Sequence, residues 1–287
     1  MGALKRKWRL LKQASLAKKR KDFLGPYARA ILFTTKNGSF LAPVDDIEIG
    51  KKIGEEGGYD LEELNQIEQM LNPSSIVYVI GTHIGLLLVP VAKKVKMVVG
   101  YEANPQTYEL LQMNIGLNKL ENVKLFNYAA GDKDGEVQFY LNLANSGGSK
   151  IKPKKDQFIY NFDKPETITV RMKTVDEHVK SESLPQADMI IMDIEGAEYL
   201  ALKGMPQSLG ASNSLYVEFI PHHLQNVAGV NATEFFNLIM PHYTNAKFMR
   251  QPQVIFNLKT DPSSFNATVE QMMIDQKDDN ILFYTDR

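Results

Sequence analysis

Cysteine is absent from this chain, which excludes disulfides, thiolate metal sites and a cysteine nucleophile. No apolar run reaches the ~18 residues of a membrane span. The best stretch, Ile84 to Val91, is short and is soon followed by Lys93 and Lys94. The basic N-terminus lacks the apolar segment of a secretory signal, so a cytoplasmic location is expected. An excess of charge of either sign is also missing. The 33 Lys and Arg nearly balance the 34 Asp and Glu, giving a net charge of -1. The molecule as a whole is therefore no electrostatic trap for nucleic acid, and no nucleic-acid partner is expected. Repeats and long low-complexity segments are lacking too. What is present is 287 residues, 44% hydrophobic and 23% charged, enough for one decorated globular domain.

Charge is unevenly placed. Between Lys5 and Lys21 there are nine Lys or Arg and no acid, with Leu4, Trp8, Leu11, Ser15 and Leu16 near helical spacing. The segment reads as a basic amphipathic helix. Such a helix can make a peripheral contact with an anionic membrane, or simply pack Trp8 and Leu11 on the body of the protein. Ala30 to Thr34 and Ser39 to Ala42 flank Asn37-Gly38, a strong hairpin signal. Asp60 to Leu71 predicts a helix with Leu61, Leu64, Ile67 and Leu71 on one face, Asp60 as its cap and Glu63 completing a capping box. Residues 1–71 are thus expected to form a basic helix, hairpin and cap region ahead of a main domain at 72–287.

From Ser75 onward strands and helices alternate. Strands are predicted at Ile76–Ile80, Val95–Tyr101, Val123–Ala130, Glu136–Leu141, Ala187–Met192 and Ser214–Phe219, and a helix at Thr107–Leu117. This order implies an α/β protein with a mostly parallel sheet covered on both faces. Val254–Leu258 and Asn280–Tyr284 read as strands forming an antiparallel pair at the C-terminal edge. The segment between them lacks strong helical periodicity.

The first of these strands runs into Gly81-Thr82-His83-Ile84-Gly85, and the next ends in Tyr101-Glu102, with Glu102 21 residues after Gly81. Glycines at such a turn let backbone approach a ligand, and an acid at the end of the following strand can accept from ribose hydroxyls. A dinucleotide fingerprint beginning at Gly81 would need glycine at His83 and Leu86, so it fails twice. A nucleoside cofactor without a pyrophosphate escapes that objection. Asp132, after Ala129-Ala130-Gly131, can accept from an adenine amino group or simply occupy a turn. Asp193, Glu195 and Glu198 follow the apolar strand Met189–Met192, where carboxylates face the ligand crevice of a parallel sheet. There they can act as general base, hydroxyl acceptor or hard-metal ligand, whereas Glu198 also suits a helix start. His222 and His223 can shuttle protons or hold a metal, or lie in a surface loop without a role.

These residues resemble the FkbM family of methyltransferases from about Gly57 to Phe219. Gly57-Gly-Tyr-Asp60 looks like the family's Gly-x-Tyr/Trp-Glu motif. Val79-Ile-Gly-Thr-His-Ile-Gly85 looks like its Asp-Val-Gly-Ala-Asn-x-Gly loop, and Tyr101-Glu-Ala-Asn-Pro105 is similar to its Phe-Glu-Pro-x-Pro strand. Asn127–Asp132 with Asp134-Gly135, Ser146–Ser149 and above all Asp193-Ile-Glu-Gly-Ala-Glu198 complete the series. The resemblance implies a Rossmann-like class I methyltransferase fold with a seven-stranded sheet. It implies S-adenosylmethionine as cofactor and transfer to an oxygen, on a sugar, a glycan or a small natural product. The residues carried over for the cofactor are Tyr59, Gly81, Thr82, His83, Gly85, Glu102, Ala103, Asn104, Ala130, Asp132 and Asp193. Those carried over for chemistry are Asp193, Glu195 and His222, and no metal is assigned. Val79 departs from the family's Asp, so either Thr82, His83 or Glu218 is expected to take over the methionine end of the cofactor, or cofactor affinity is expected to be low. The alternatives are a non-catalytic binding or scaffold protein of this fold and a nicotinamide-dependent oxidoreductase.

Overall fold

The structure, a computed structural model, describes residues 3–286. It opens with the helix Ala3–Leu24 and a hairpin of strands β1 (Ala30–Thr34) and β2 (Ser39–Pro43), registered Leu32 to Leu41. The helices Ile47–Glu56 and Leu61–Glu68 follow. Strands β3 (Ile76–Ile80), β4 (Met97–Tyr101) and β5 (Val123–Phe126) come next. After them come β6 (Ala129–Ala130), β7 (Gly135–Leu141), β8 (Lys150–Ile151) and β9 (Glu166–Lys173). The chain ends with β10 (Met189–Met192), β11 (Ser214–Phe219), β12 (Asn245–Phe248), β13 (Phe256–Asn257) and β14 (Asp279–Tyr284).

The central sheet has eight strands in the order β13-β12-β14-β11-β10-β3-β4-β5, with β11 to β5 parallel. Its strands are apolar on both faces, as a sheet covered on both sides requires. Tyr78 and Ile80 of β3 face one core cluster, Val77 and Val79 the other. This is the expected α/β Rossmann-like architecture with an antiparallel C-terminal edge, but with eight strands rather than seven.

Several elements depart from the sequence reading. Val123–Ala130 is not one strand. Asn127 donates from Nδ2 to the carbonyls of Glu102 at 2.7 Å and Ala103 at 3.3 Å, and the chain leaves the central sheet there. Beyond that break, β6, β7, β8 and β9 form a separate four-stranded sheet, so the strand predicted at Glu136–Leu141 lies outside the central one. The C-terminal strands β13 and β14 do not pair with each other, because β12 lies between them. The segment joining them is the helix Pro262–Asp275, capped by Asp261, which accepts from the Ser264 amide. It buries only Phe265 and Val269, which explains its weak periodicity.

The N-terminal region also differs in detail. Asp60 makes no cap hydrogen bond, and Glu63 instead accepts from Tyr216 Oη and from Asn280 Nδ2. The basic helix packs through Leu10 and Ala17, leaving Trp8 69% and Leu11 43% exposed. Arg20 anchors it by donating to the Asp46 carbonyl. Among the described residues no helix is long and apolar enough to cross a membrane.

Candidate functional site

Chain order reverses at β3: β4 and β5 extend to one side and β10 and β11 to the other. In open parallel sheets the crevice beyond the strand ends at such a switch point receives ligands. Here it is an open cavity of about 260 Å³, near the lower end of small-molecule sites, roughly 300–1,000 Å³.

The two loops at the switch point are in backbone contact. The Asp193 amide donates to the Ile80 carbonyl at 3.0 Å. Gly81 has φ +89°, and a Cβ there would lie 1.8 Å from the Asp193 carbonyl oxygen. Only glycine lets β3 turn away at this distance from β10. The Gly81-to-Gly85 loop is held by Glu102 at the end of β4. One Glu102 oxygen accepts from the His83 amide at 2.7 Å and the other from the Asn104 amide at 2.9 Å. Each oxygen retains a lone pair toward the cavity, which suits two adjacent hydroxyl donors. Burial pushes the Glu102 carboxyl up to about 7.

A second network closes the cavity from above. His83 Nε2 meets Ser146 Oγ at 2.7 Å, and Ser146 donates through its amide and hydroxyl to Asp46 at 2.8 and 2.5 Å. Asp46 is fully buried, caps the helix Ile47–Glu56 and is pushed up to about 6 by desolvation. Burial holds the His83 ring down to about 4, so it is a neutral bridge. Through this network the cap region supplies Glu48, Ile49, Lys52 and Tyr59 to the wall. Lys52 Nζ sits 4.0 Å from the Tyr59 ring centroid.

Carboxylates gather on the opposite wall. Asp193 is reached from the cleft but surrounded by protein, and burial with Glu195 and Glu198 nearby pushes it up to about 8. It shares a hydrogen bond with Glu218 at the end of β11, whose carboxyl burial and Asp193 also drive up. Glu195, at φ +58°, is engaged by Lys150 Nζ at 2.9 Å and lies 3.4 Å from His223 Nδ1. Glu198 accepts from the amides of Ile194 at 2.9 Å and Gly196 at 3.2 Å, so it clamps this loop as well as starting the helix Glu198–Lys203. Two trios, Glu195 with Glu218 and His223, and Asp193 with Glu198 and Glu218, are close enough to share a cation.

Of the residues expected from sequence, Tyr59, Gly81, His83, Glu102, Ala103, Ala130, Asp193 and Glu195 line this one cavity. Others do not. Thr82 is buried behind the loop, Gly85 shapes the turn, and Asn104 caps the helix Pro105–Leu117 by accepting from Gln106 and Thr107. Asp132 lies away from the cavity, paired with Lys203 at 3.2 Å, so an adenine contact from it is not supported. His222 lines an adjoining cavity with Glu195 and His223, its Nδ1 3.1 Å from Tyr160 Oη. Val79 packs in an apolar cluster with Leu88, Val91 and Ile191 and does not line the cavity. A carboxylate in these apolar surroundings would be costly to bury, so the Val79 side chain belongs to the core and not to the cavity wall. Sequence reasoning misses Glu48, Lys52 and Lys150, which reach the site through tertiary packing and carry no local motif.

The family profile described as Methyltransferase FkbM domain matches residues 80–247. The 2-O-methyltransferase NoeI of Sinorhizobium fredii is 26% identical over 134 residues, covering 43% of this chain and 54% of that protein. The hexuronic acid methyltransferase AglP of Haloferax volcanii is 25% identical over 144 residues, covering 50% of this chain and 55% of that protein. The chain thus spans about half the length of these curated relatives. A solved FkbM methyltransferase from Methylobacillus flagellatus aligns with a TM-score of 0.44 at 17% identity, over 75% of this chain and 44% of that one. With more than half of its residues matched, and with the glycine turn, Glu102 and the Asp193 cluster gathered on one crevice, the chain belongs to the FkbM methyltransferase family.

Proposed function

We propose that this protein uses S-adenosylmethionine to methylate a hydroxyl oxygen of a sugar, a glycan or a small natural product. The observation that carries the reading is the placement of Glu102 and Asp193, after the two strands that flank β3, on one cavity. Glu102 offers paired acceptors for ribose hydroxyls, and the surrounding Tyr101, Ala103, Tyr128, Ala130 and Phe139 suit a purine and its sugar. The Glu218 carboxylate, beside Tyr59, suits the positive charges of the methionine end. When bound, the cofactor supplies an activated methyl group and leaves as a neutral thioether, so no acid is required for departure. The protein's part is to align the acceptor and to remove its proton. Asp193 is placed for that, with Glu195 fixed by Lys150 to brace the acceptor. The activities for which NoeI and AglP are named support an oxygen acceptor on a sugar. Incubation with methyl-labelled cofactor and a panel of sugars and nucleotide sugars tests this. Label recovered as a methyl ether supports it, and label only on nitrogen or carbon overturns it.

The ribose assignment has its own test. Glu102→Gln converts one acceptor oxygen to a donor that must face the His83 or Asn104 amide. S-adenosylhomocysteine affinity should fall about 10- to 100-fold, the ~1.5–3 kcal/mol of a charge-assisted hydrogen bond. Because the ionised carboxylate is the acceptor, wild-type affinity should also weaken as pH falls through about 7. Calorimetry showing unchanged affinity in the variant would reject the assignment.

A further inference from the structure

Next to the cofactor cavity, and sharing Glu48, Asn145 and Glu195 with it, lies a second cavity. Its charges are unbalanced. Glu195 is engaged by Lys150, which is itself 5% exposed, and Glu48 accepts from the Gln13 side chain. Arg6 and Arg9, projecting from the N-terminal helix, also line it, and among the described residues neither has an acidic partner. Burial of Leu10 and Ala17 and the Arg20 contact fix that helix, so both guanidinium groups stand at the mouth. A guanidinium presents a planar fork matched to a phosphate or carboxylate. We propose that Arg6 and Arg9 bind an oxyanion carried by the methyl acceptor, holding its hydroxyl toward Asp193.

This rests on the methyltransferase reading, and the test separates the two. Protein saturated with S-adenosylhomocysteine is titrated with glucose 1-phosphate, glucuronate and glucose. A parallel arm presents the sugar phosphate on a polyprenyl chain in neutral vesicles. At least one anionic probe should bind tenfold or more tightly than glucose at low salt. The double variant Arg6→Ala/Arg9→Ala should lose that preference while S-adenosylhomocysteine affinity and melting temperature hold. The two soluble anions separate phosphate from carboxylate, and the vesicle arm separates a free from a lipid-linked acceptor. Equal binding of charged and neutral probes, no anionic binding, or a preference surviving in the variant overturns the proposal. Failure of S-adenosylhomocysteine itself to bind counts against the methyltransferase reading instead.

The outer side of the same helix carries an independent feature. Leu4 is 71%, Trp8 69% and Phe23 87% exposed, with Tyr27 96% exposed in the turn that follows, and they are interleaved with Lys5, Lys12 and Lys19, none of which has an acidic partner among the described residues. Exposed large apolar groups among uncompensated cations complement an anionic bilayer, where rings insert at headgroup level. We infer that this face docks on anionic lipid. Sedimentation with phosphatidylserine-containing vesicles should show binding at low salt that weakens tenfold or more at about 0.5 M salt, as screening requires. Trp8→Ala/Phe23→Ala should reduce it at least fivefold at unchanged melting temperature. Equal binding to neutral vesicles, full binding by the variant, or self-association without vesicle binding overturns it, the last assigning the face to a second copy of the chain.

Discussion

Replacing Asp193 with asparagine should lower turnover by roughly 10²-fold or more, the contribution of a positioned base, while S-adenosylhomocysteine affinity stays within a few-fold. Asparagine keeps the side-chain volume and can still hydrogen-bond Glu218, so the wall of the cavity persists. What it loses is the ability to take a proton. The same assignment sets the pH dependence. Asp193 is pushed up to about 8, and only its ionised form accepts the acceptor's proton. kcat/KM of the wild type should therefore rise with pH and level off above about 8, and the variant should lose that rise. Chelation is the companion measurement, because Asp193, Glu198 and Glu218 are close enough to share a cation. Turnover unchanged in chelator supports direct proton removal by Asp193. Collapse with recovery in Mg²⁺ assigns the carboxylates to a metal that polarises the acceptor oxygen. Full turnover in Asp193→Asn would make the residue structural and move the base to Glu218, Glu195 or His222.

The second large effect is expected at Gly81. An added Cβ would sit 1.8 Å from the Asp193 carbonyl oxygen and 2.8 Å from Ile194 Cγ2, at φ +89°. Backbone strain and overpacking each cost about 1–3 kcal/mol, so Gly81→Ala should destabilise by about 3 kcal/mol or more. In melting temperature that is a fall of roughly 6–12 °C for a chain of this size. The loop cannot move without pulling either Ile80 or Asp193, so S-adenosylhomocysteine binding should be lost as well. Gly116, inside the helix Pro105–Leu117 with nothing within 4 Å of its added Cβ, is the control. Gly116→Ala should raise stability by about 0.5–1 kcal/mol. Similar melting temperatures for the two variants would contradict the close approach of the loops.

Much of the site is legible in the sequence because its chemistry is local. A buried strand that ends in glycine, and another that ends in an acid, declare both the turn and the group facing it. Hence the order of residues alone brings Gly81, Glu102 and Asp193 to one crevice, where the fold indeed holds them. What is not legible depends on contacts between distant segments. Lys150 is a polar residue on a two-residue strand, and only packing brings it to Glu195, 45 positions away. Glu48 and Lys52 arrive because Asp46 is tied to Ser146, 100 positions on. Asp132 reads as functional because it follows a strand, yet the break at Asn127 carries that segment into the second sheet. The same break removes Glu136–Leu141 from the central sheet, where strand alternation alone would put it. Strand β12 escapes notice because it is only Asn245–Phe248, interrupted by Lys247. The helix Pro262–Asp275 hides behind a weak apolar stripe, although Asp261-Pro262 at its start is a readable cap.

If the crevice at the switch point holds S-adenosylmethionine with its ribose on Glu102, the purified chain must bind the cofactor's demethylated product. Titration calorimetry with S-adenosylhomocysteine, beside a matched titration with NAD, measures this most directly. The expected result is saturable binding of about one equivalent of S-adenosylhomocysteine, weakened by Glu102→Gln, and no binding of NAD. Saturable binding of NAD with none of S-adenosylhomocysteine would contradict it.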